Sequence, residues 1–263
     1  MKSNKLVDNI YLSIVFLFLF LPIFVLILFS FNTSRLNIVF EGFTFYWYKD
    51  LFNNSMLLEA LINTLIVAVV STLASTIVGT ISAYALKKFD FRFKKFINEL
   101  LYIPVIIPEI VLGIALLCIY AFLKIELGMF TLILSHIAFS IPFVIINVNS
   151  ALESMNPNLE EAASDLGASK IKTFFHVVIP SLMPGIMSGA QLAFTLSMDD
   201  VVISYFTAGP DSNTLPLQIL SMIKSGVTPD VNALITLMLL FIFIVMNISM
   251  ILSIRKMKKE VKL

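Results

Sequence analysis

Long uncharged apolar stretches limit, more than any other feature, what this chain can fold into. Residues 9–34, 60–86, 127–152 and 231–254 contain no Asp, Glu, Lys or Arg. An α-helix needs about 20 apolar residues to cross a bilayer, and each stretch is at least 24 residues long. The chain is 59% hydrophobic and 13% charged, whereas soluble domains are about 25% charged. The sequence therefore predicts a membrane protein with several helical spans.

Two further segments can also cross a membrane. One carries a single charge, Glu109, and the other follows a polar loop over residues 151–180. Within the second segment, Gly185 and Gly189 have the spacing of a close helix–helix contact. We predict an all-α membrane protein with one transmembrane domain over residues 1–263. Its six spans are predicted at about residues 10–31, 61–86, 100–123, 129–150, 181–206 and 231–254.

The distribution of Lys and Arg orients these spans. If the N-terminus is cytoplasmic, the inner segments hold fourteen of the eighteen basic residues and the outer segments hold four. Cytoplasmic loops of membrane proteins carry an excess of Lys and Arg. We therefore predict that both termini and the loop 151–180 are cytoplasmic.

The loop 151–180 begins with a well-defined helix signal. Asn156 is a favourable N-cap and Pro157 suits the first helical position, because proline has no N–H to leave unbonded there. Glu160 and Glu161 lie in the early turns, where the helix dipole favours negative charge. Gly167 is a typical left-handed stop. The sequence predicts a short helix that ends at this glycine.

One face of this short helix is flat and apolar, because two of its four members are alanines. These members, at the i, i+3, i+4 and i+7 positions of one stripe, are Leu159, Ala162, Ala163 and Leu166. Ser169 can cap a second short helix, which we expect to end before Pro180. Such a bent unit suits docking into a groove of another protein; the alternative is an ordinary capped loop between two spans.

Carboxylates inside predicted spans are the strongest candidates for a transport pathway, because each costs a few kcal/mol near mid-membrane. They are Glu109 and the pair Asp199–Asp200. Adjacent helical residues point about 100° apart, so we expect one aspartate to face the pathway and the other to bond locally. Tyr205 lies beside them in sequence, and aromatic faces with carboxylates suit a cationic passenger. Trp47 is a further pathway candidate, with a membrane-interface anchor as the alternative; for Glu109 the alternative is a structural hydrogen bond.

Several catalytic and metal-binding patterns are absent from the sequence. There is no glycine-rich phosphate-binding loop with Gly-Lys-Ser or Gly-Lys-Thr. His136 and His176 have no Cys or second His at ligand spacing, and Cys118 lies alone in an apolar run. No Ser-His-Asp pattern supports nucleophilic catalysis. We therefore expect no enzyme activity, no catalytic or metal-binding residues and no cofactor in this chain itself.

The polar loop resembles the cytoplasmic signature of ABC importer permeases. The resemblance rests on Glu161-Ala162-Ala163, then Gly167, then Pro180 at the family's spacing, with Val177 and Ile179 as conservative departures. It implies the type I importer (MetI-like) architecture and a bacterial cytoplasmic membrane location. It also implies that the loop forms coupling helices in a groove of an ATPase subunit. The implied coupling residues are Leu159, Glu160, Glu161, Ala162, Ala163, Asp165, Leu166 and Gly167.

A second set of sequence motifs resembles a more specific group within this family. Ser197 to Phe206 contains Asp-Asp-Val-Val-Ile-Ser and is followed by Gly209-Pro210 and by Ser225-Gly226-Val227-Thr228-Pro229. These segments resemble the C-type permeases of spermidine/putrescine importers. The resemblance implies inward polyamine transport and four kinds of partner. They are two ATPase subunits that bind Mg-ATP, a second and different permease, an extracytoplasmic polyamine-binding protein and membrane lipid, without nucleic acid.

Other functions stay open at this point. The same architecture can carry another passenger, such as ferric ion or another small solute. An ion-coupled secondary transporter could use Glu109 and the aspartates as a proton relay. That alternative leaves the Leu159–Leu166 face without a purpose, and 263 residues is short for two inverted halves. A membrane enzyme is the weakest option, since no catalytic pattern is present.

Overall fold

The computed structural model describes residues 5–35, 38–225 and 228–260, and its regular elements are helical. Gly226 and Val227 of the motif quoted above, and both chain ends, lie outside the described residues. The predicted all-α class is therefore confirmed for the described residues. The helices are α1 (Lys5–Phe29), α2 (Tyr46–Asp50), α3 (Ser55–Lys88), α4 (Lys94–Ile106), α5 (Glu109–Phe122), α6 (Met129–Ser154), α7 (Asn158–Asp165), α8 (Lys170–Thr173), α9 (Ile179–Asp199), α10 (Val202–Thr207), α11 (Leu215–Ser225) and α12 (Pro229–Glu260).

The chain divides into two compact units. One comprises Met1–Leu58 with Ser221–Leu263, and the other comprises Glu59–Leu220. In the first unit, α12 packs against α1 and α2. Asn54 Nδ2 donates a hydrogen bond of 2.8 Å to Asp230 Oδ2 at the start of α12, which ties the segment before α3 to that helix.

The loop between α1 and α2 is organised around one buried asparagine. The side chain of Asn32 donates to the carbonyl of Val39 at 2.8 Å and accepts from the N–H of Glu41 at 2.9 Å. Its own carbonyl accepts a hydrogen bond of 2.6 Å from Trp47 Nε1. Because a buried amide is costly when unpaired, these bonds explain how a polar residue can close the loop.

The core of the second unit lies between α6 and α9. Its buried members are Ala83, Val144, Ile145, Val148, Leu152, Val178, Leu182 and Ala193. Gly185 and Gly189 make the two helices approach closely. A Cβ on Gly185 would lie 2.5 Å from Ala151 Cβ, and a Cβ on Gly189 would lie 3.1 Å from Val144 Cα. The predicted close contact through these two glycines is confirmed, and its partner is a helix of the same chain.

The third predicted span, 100–123, is not one continuous helix. Helices α4 and α5 meet at a bend of 112° across Ile107 and Pro108. Proline disfavours the helical conformation of the residue before it, and Ile107 is extended with φ −70° and ψ 137°. The bend places Glu109 at the first position of α5 rather than inside a helix.

The second short helix of the polar loop, α8, ends at Thr173, before Pro180 as expected, but the chain stays helical beyond it. Lys170 to Asp199 forms one apolar helical path of 30 residues. A π-helical turn over Phe174–Val178 separates α8 from α9. The proline ring normally clashes with the carbonyl four residues earlier, which here belongs to His176 inside the wider π turn. This irregular turn lets the helix continue through the proline.

Among the described residues, four helices are long and apolar enough to cross a membrane. They are Asp8–Phe29, Ser55–Lys88, Met129–Ser154 and Lys170–Asp199. A fifth arises if α4 and α5 together form one broken span. In α12, the apolar part whose side chains the structure describes, Pro229–Ile244, is shorter than a full span.

Candidate coupling and pathway sites

The polar loop folds as the sequence indicates at its start. Helix α7 begins at Asn158, one residue later than expected, with Pro157 as the N-cap residue. The side-chain oxygen of Asn156 accepts a hydrogen bond of 3.0 Å from the N–H of Asn158. Asn156 therefore bonds to the first N–H of the helix from the position before the N-cap residue. Glu160 and Glu161 occupy the first turn, where the helix dipole stabilises negative charge.

The helix ends at a left-handed glycine. Gly167 has φ +81°, a conformation that L-residues with a Cβ adopt at a cost. Its N–H donates to the carbonyl of Ser164 at 2.8 Å, and the N–H of Ala168 donates to the carbonyl of Ala163 at 3.0 Å. Ser169 then caps α8 by accepting from the N–H of Lys172. The predicted stop at Gly167 and the predicted cap at Ser169 are both confirmed.

The apolar side chains of this unit are exposed. Leu166 is 90% exposed, Ile171 73%, Phe175 60% and Leu159 38%. Ala162, Glu161 and Asp165 are also exposed, whereas Ala163 is half-buried. Large exposed apolar groups next to charges are typical of protein interaction sites. The Leu159–Leu166 stripe is therefore largely exposed, and its docking role stays a prediction.

Glu160 differs from the rest of α7 because its carboxylate bonds to a distant helix. Its Oε2 accepts a hydrogen bond of 3.0 Å from the hydroxyl of Tyr84 and forms an ion pair with Lys88. Both partners lie in the last turns of α3. The ring of Tyr84 also contacts the ring of Phe174 in the π turn, with centroids 5.0 Å apart. Tyr84 thus joins α3, α7 and the π turn.

A buried polar network lies between α6, α9 and α10. The imidazole of His136 is 1% exposed. Its Nδ1 lies 2.7 Å from Ser197 Oγ, and its Nε2 lies 3.0 Å from Ser204 Oγ. Ser197 Oγ lies 3.2 Å from Ser71 Oγ, which extends the network to α3. These contacts join four helices of the second unit through side chains alone.

The donors and acceptors in this network indicate which nitrogen of His136 carries the proton. Ser204 donates its hydroxyl proton to Asp200 Oδ2 at 2.7 Å, so its oxygen is free to accept from His136. We therefore assign the proton of a neutral His136 to Nε2, with Nδ1 accepting from Ser197. Asp200 Oδ2 also lies 3.4 Å from His136 Nε2. In this arrangement each of these buried polar groups has a partner.

The structure separates the roles of the two adjacent aspartates. Asp200 is 8% exposed, and its carboxylate accepts from the N–H groups of Ile203 and Ser204 at 3.1 and 2.7 Å. It therefore holds the break between α9 and α10. Asp199 ends α9 and is exposed. Asp200 is thus the aspartate that bonds locally, as we expected of one of the two. The pathway role of Asp199 stays a prediction.

Glu109 and Tyr205 lie in the same unit as these aspartates. Glu109 is exposed at the start of α5. Helix α5 packs on α10, where a Cβ on Gly113 would lie 2.7 Å from the ring of Phe206. Tyr205 is 64% exposed. The second unit thus presents an exposed aromatic ring on α10 and exposed carboxylates at the end of α9 and the start of α5.

Trp47 belongs to the other unit. It is 5% exposed, and its Nε1 bonds to the carbonyl of Asn32. This indole closes the α1–α2 loop by a buried contact, which differs from the exposed ring of a membrane-interface anchor. Its predicted place in a substrate pathway stays a prediction.

Sequence reasoning missed the convergence of His136, Ser197 and Ser204. No linear Ser-His-Asp pattern exists, because each group comes from a different helix. The available signal was a lone histidine in an apolar span, since polar groups there normally find a partner. The cluster is buried, since Ser204 is 0% exposed, Ser197 is 3% exposed and the imidazole between them is 1% exposed.

The chain is similar in sequence to membrane components of bacterial transport systems. Residues 75–262 match the family model described as binding-protein-dependent transport system inner membrane component. The spermidine/putrescine transport system permease protein PotC of Escherichia coli (strain K12) is 41% identical over 255 residues, covering 97% of each chain. The putrescine transport system permease protein PotI of the same strain is 36% identical over 254 residues, covering 94% of this chain and 90% of that protein.

A solved structure supports the fold independently. A chain of a bacterial ABC transporter involved in the import of the acidic polysaccharide alginate superposes with a TM-score of 0.73. The alignment covers 95% of this chain and 97% of that chain at 18% identity. At this identity the similarity concerns the arrangement of helices and not the passenger.

Proposed function

Because this chain belongs to the family of binding-protein-dependent transport system inner membrane components, we propose that it is the permease through which an ATP-driven importer moves polyamines inward. The observation that carries this proposal is the 41% identity to a spermidine/putrescine permease over 97% of both chains. An alignment without large gaps at either end is favourable for a shared passenger as well as a shared fold.

The charges of the second unit support a cationic passenger. Spermidine and putrescine are polycations at neutral pH, because alkylammonium groups titrate near the lysine value of about 10.4. Asp199 and Glu109 are exposed carboxylates, and Tyr205 is an exposed aromatic ring. Carboxylates and aromatic faces both attract ammonium groups. We assign Asp199, Glu109 and Tyr205 to the passenger path, and Asp200 to holding Asp199 in place.

The α7–α8 unit would receive the work of ATP hydrolysis. Two ATPase subunits that bind Mg-ATP are the proposed partners of the exposed Leu159–Leu166 stripe. A second, different permease would complete the channel, and an extracytoplasmic binding protein would deliver the polyamine. In the membrane the chain would have six spans and cytoplasmic termini, with α4–α5 as one broken span and α12 as the last.

Reconstitution tests this function directly. The complete complex is placed in proteoliposomes with ATP inside the compartment that represents the cytoplasm, and accumulation of labelled spermidine is measured. We expect ATP-dependent accumulation that excess putrescine reduces and ferric ion does not. Accumulation of labelled ferric ion or another solute, without spermidine uptake, would replace the polyamine by that passenger.

A further inference from the structure

Helix α7 contacts the rest of the second unit through few residues. It has no buried residue, and its main backbone neighbours are α8 and the π turn that follow it in sequence. Among the described residues, the side-chain hydrogen bonds and ion pairs from α7 to a distant helix all end on the carboxylate of Glu160. A force applied to the exposed face of α7 therefore has one polar connection to α3.

The partners of Glu160 make this connection specific. The contact with Lys88 is a charge-assisted hydrogen bond, which is stronger than a bond between neutral groups. Lys88 Nζ also lies 5.4 Å from the ring centroid of Tyr84, so the cation is held between a carboxylate and an aromatic face. The side chain of Glu160 is 19% exposed and that of Lys88 is 42% exposed, so water screens the pair in part. We name Tyr84, Lys88 and Glu160 the α3–α7 clamp.

Helix α3 continues from the clamp to the buried network near the aspartates. Ser71 lies on the same helix and bonds to Ser197. At 1.5 Å per residue, Lys88 and Ser71 are about 25 Å apart along α3. Ser197 in turn contacts His136, which lies beside Asp200. Helix α3 thus links the clamp at its C-terminal end, through Ser71 at its middle, with the buried network beside the α9–α10 break.

A cavity lies beside the clamp. Its volume is about 440 Å³, and Lys88, Glu160, Glu161, Ile171 and Phe175 are among its lining residues. Space on this side lets α7 shift relative to α3 if the clamp is broken. The clamp and the packing of Phe174 on Tyr84 are therefore the contacts that relate α7 to α3 on this side.

We propose that Glu160 is a positioning residue that transmits movement of α7 to α3 through Lys88 and Tyr84. This inference rests on the proposed function, because it assumes that an ATPase acts on α7. It assigns a mechanical role to the glutamate before the Glu161-Ala162-Ala163 signature. Breaking the clamp uncouples ATP hydrolysis from transport, and restoring an opposite-charge pair restores the coupling.

A charge-exchange experiment tests the clamp in the complete transport complex. The variants are Lys88→Glu, Glu160→Lys and the double exchange, and spermidine accumulated per ATP hydrolysed is measured. We expect each single variant to hydrolyse ATP but to transport on the order of tenfold less per ATP. The double exchange recovers most of the wild-type ratio. Lys87→Glu, a neighbouring charge reversal outside the clamp, is the matched control and keeps the wild-type ratio.

Two outcomes overturn the inference. One is a double exchange that transports no better than the poorer single variant; the other is a pair of single variants with the wild-type ratio. Wild-type complex without spermidine uptake would instead refute the proposed function. In that case trypsin cleavage after Lys170 and Lys172 decides the inference without a substrate. We expect faster cleavage in both single variants and the wild-type rate in the double exchange; equal rates in all four proteins overturn the clamp.

Discussion

His136 Nε2 lies 3.4 Å from Asp200 Oδ2, with both side chains almost completely buried. The imidazole stands between the end of α9 and the start of α10, and it bonds to Ser197 on one side and Ser204 on the other. Asp200 is the neighbour of the exposed Asp199. The buried network therefore holds the chain on both sides of Asp199, whose carboxylate is exposed. The members of the network, His136, Asp200, Ser197 and Ser204, are buried.

Removing the imidazole should weaken this region. His136→Leu removes one hydrogen bond from Ser197 and one from Ser204, although Ser197 keeps Ser71 and Ser204 keeps Asp200 as partners. Loss of a hydrogen bond typically costs about 0.5–1.5 kcal/mol. We expect a lower midpoint of thermal unfolding for the purified permease complex. Ser140→Ala is the matched control, because Ser140 is buried on the same helix and its Oγ has no hydrogen-bond partner among the described residues. Equal midpoints for the two variants would contradict a stabilising network.

The two aspartates should respond differently to loss of charge. Asp199→Asn removes an exposed charge, so we expect normal folding and a KM for spermidine raised about two- to fivefold. Asp200→Asn replaces one acceptor oxygen of the helix break by an NH₂ group, so we expect lower thermal stability and lower yield. Uptake kinetics and thermal unfolding of both variants measure the difference. Identical effects of the two substitutions on both quantities would refute the separate roles.

A methyl group at Gly185 should disturb the contact between α6 and α9. Its Cβ would lie 2.5 Å from Ala151 Cβ and 2.8 Å from the carbonyl oxygen of Asn147, and overpacking typically costs about 1–3 kcal/mol. We expect Gly185→Ala to lower the unfolding midpoint. Gly128→Ala is the control, since Gly128 has an extended φ of 177° and no atom within 4 Å of its Cβ position. A stable Gly185→Ala variant would show that the helices can separate at no cost.

The turn after α7 should be sensitive to backbone conformation and not to volume. Gly167 has φ +81° and open space around its Cβ position. Alanine pays about 1–2 kcal/mol in the left-handed region, whereas asparagine adopts that region more readily. We expect ATP-driven uptake to fall in the order Gly167, Gly167→Asn, Gly167→Ala and Gly167→Pro. Equal uptake by the alanine and asparagine variants would remove the conformational explanation.

Local signals allowed much of this fold to be predicted. Asn156, Gly167 and Ser169 act through hydrogen bonds and dihedral angles within a few residues, so the sequence contains all that their roles require. The spacing of Gly185 and Gly189 likewise indicates a close contact. It does not reveal the partner helix, because that depends on long-range packing.

The features that escaped prediction depend on residues far apart in sequence. Pro108 indicates a bend, but the sequence does not specify its angle, which is 112°. Pro180 is normally a helix breaker, and the π turn that accommodates it has no clear sequence signal. His136 and Glu160 find their partners on other helices. Their bonds could be anticipated only as a need for some partner.

Accessibility of Leu166 tests the central claim most directly, because this side chain is 90% exposed on the proposed coupling unit. Leu166→Cys is made in a Cys118→Ala background, since Cys118 is the one cysteine of the sequence. A membrane-impermeant maleimide is applied to intact cells and to inverted membrane vesicles with and without the ATPase subunits. We predict labelling only in inverted vesicles, with protection by the ATPase subunits. Labelling in intact cells would contradict the account.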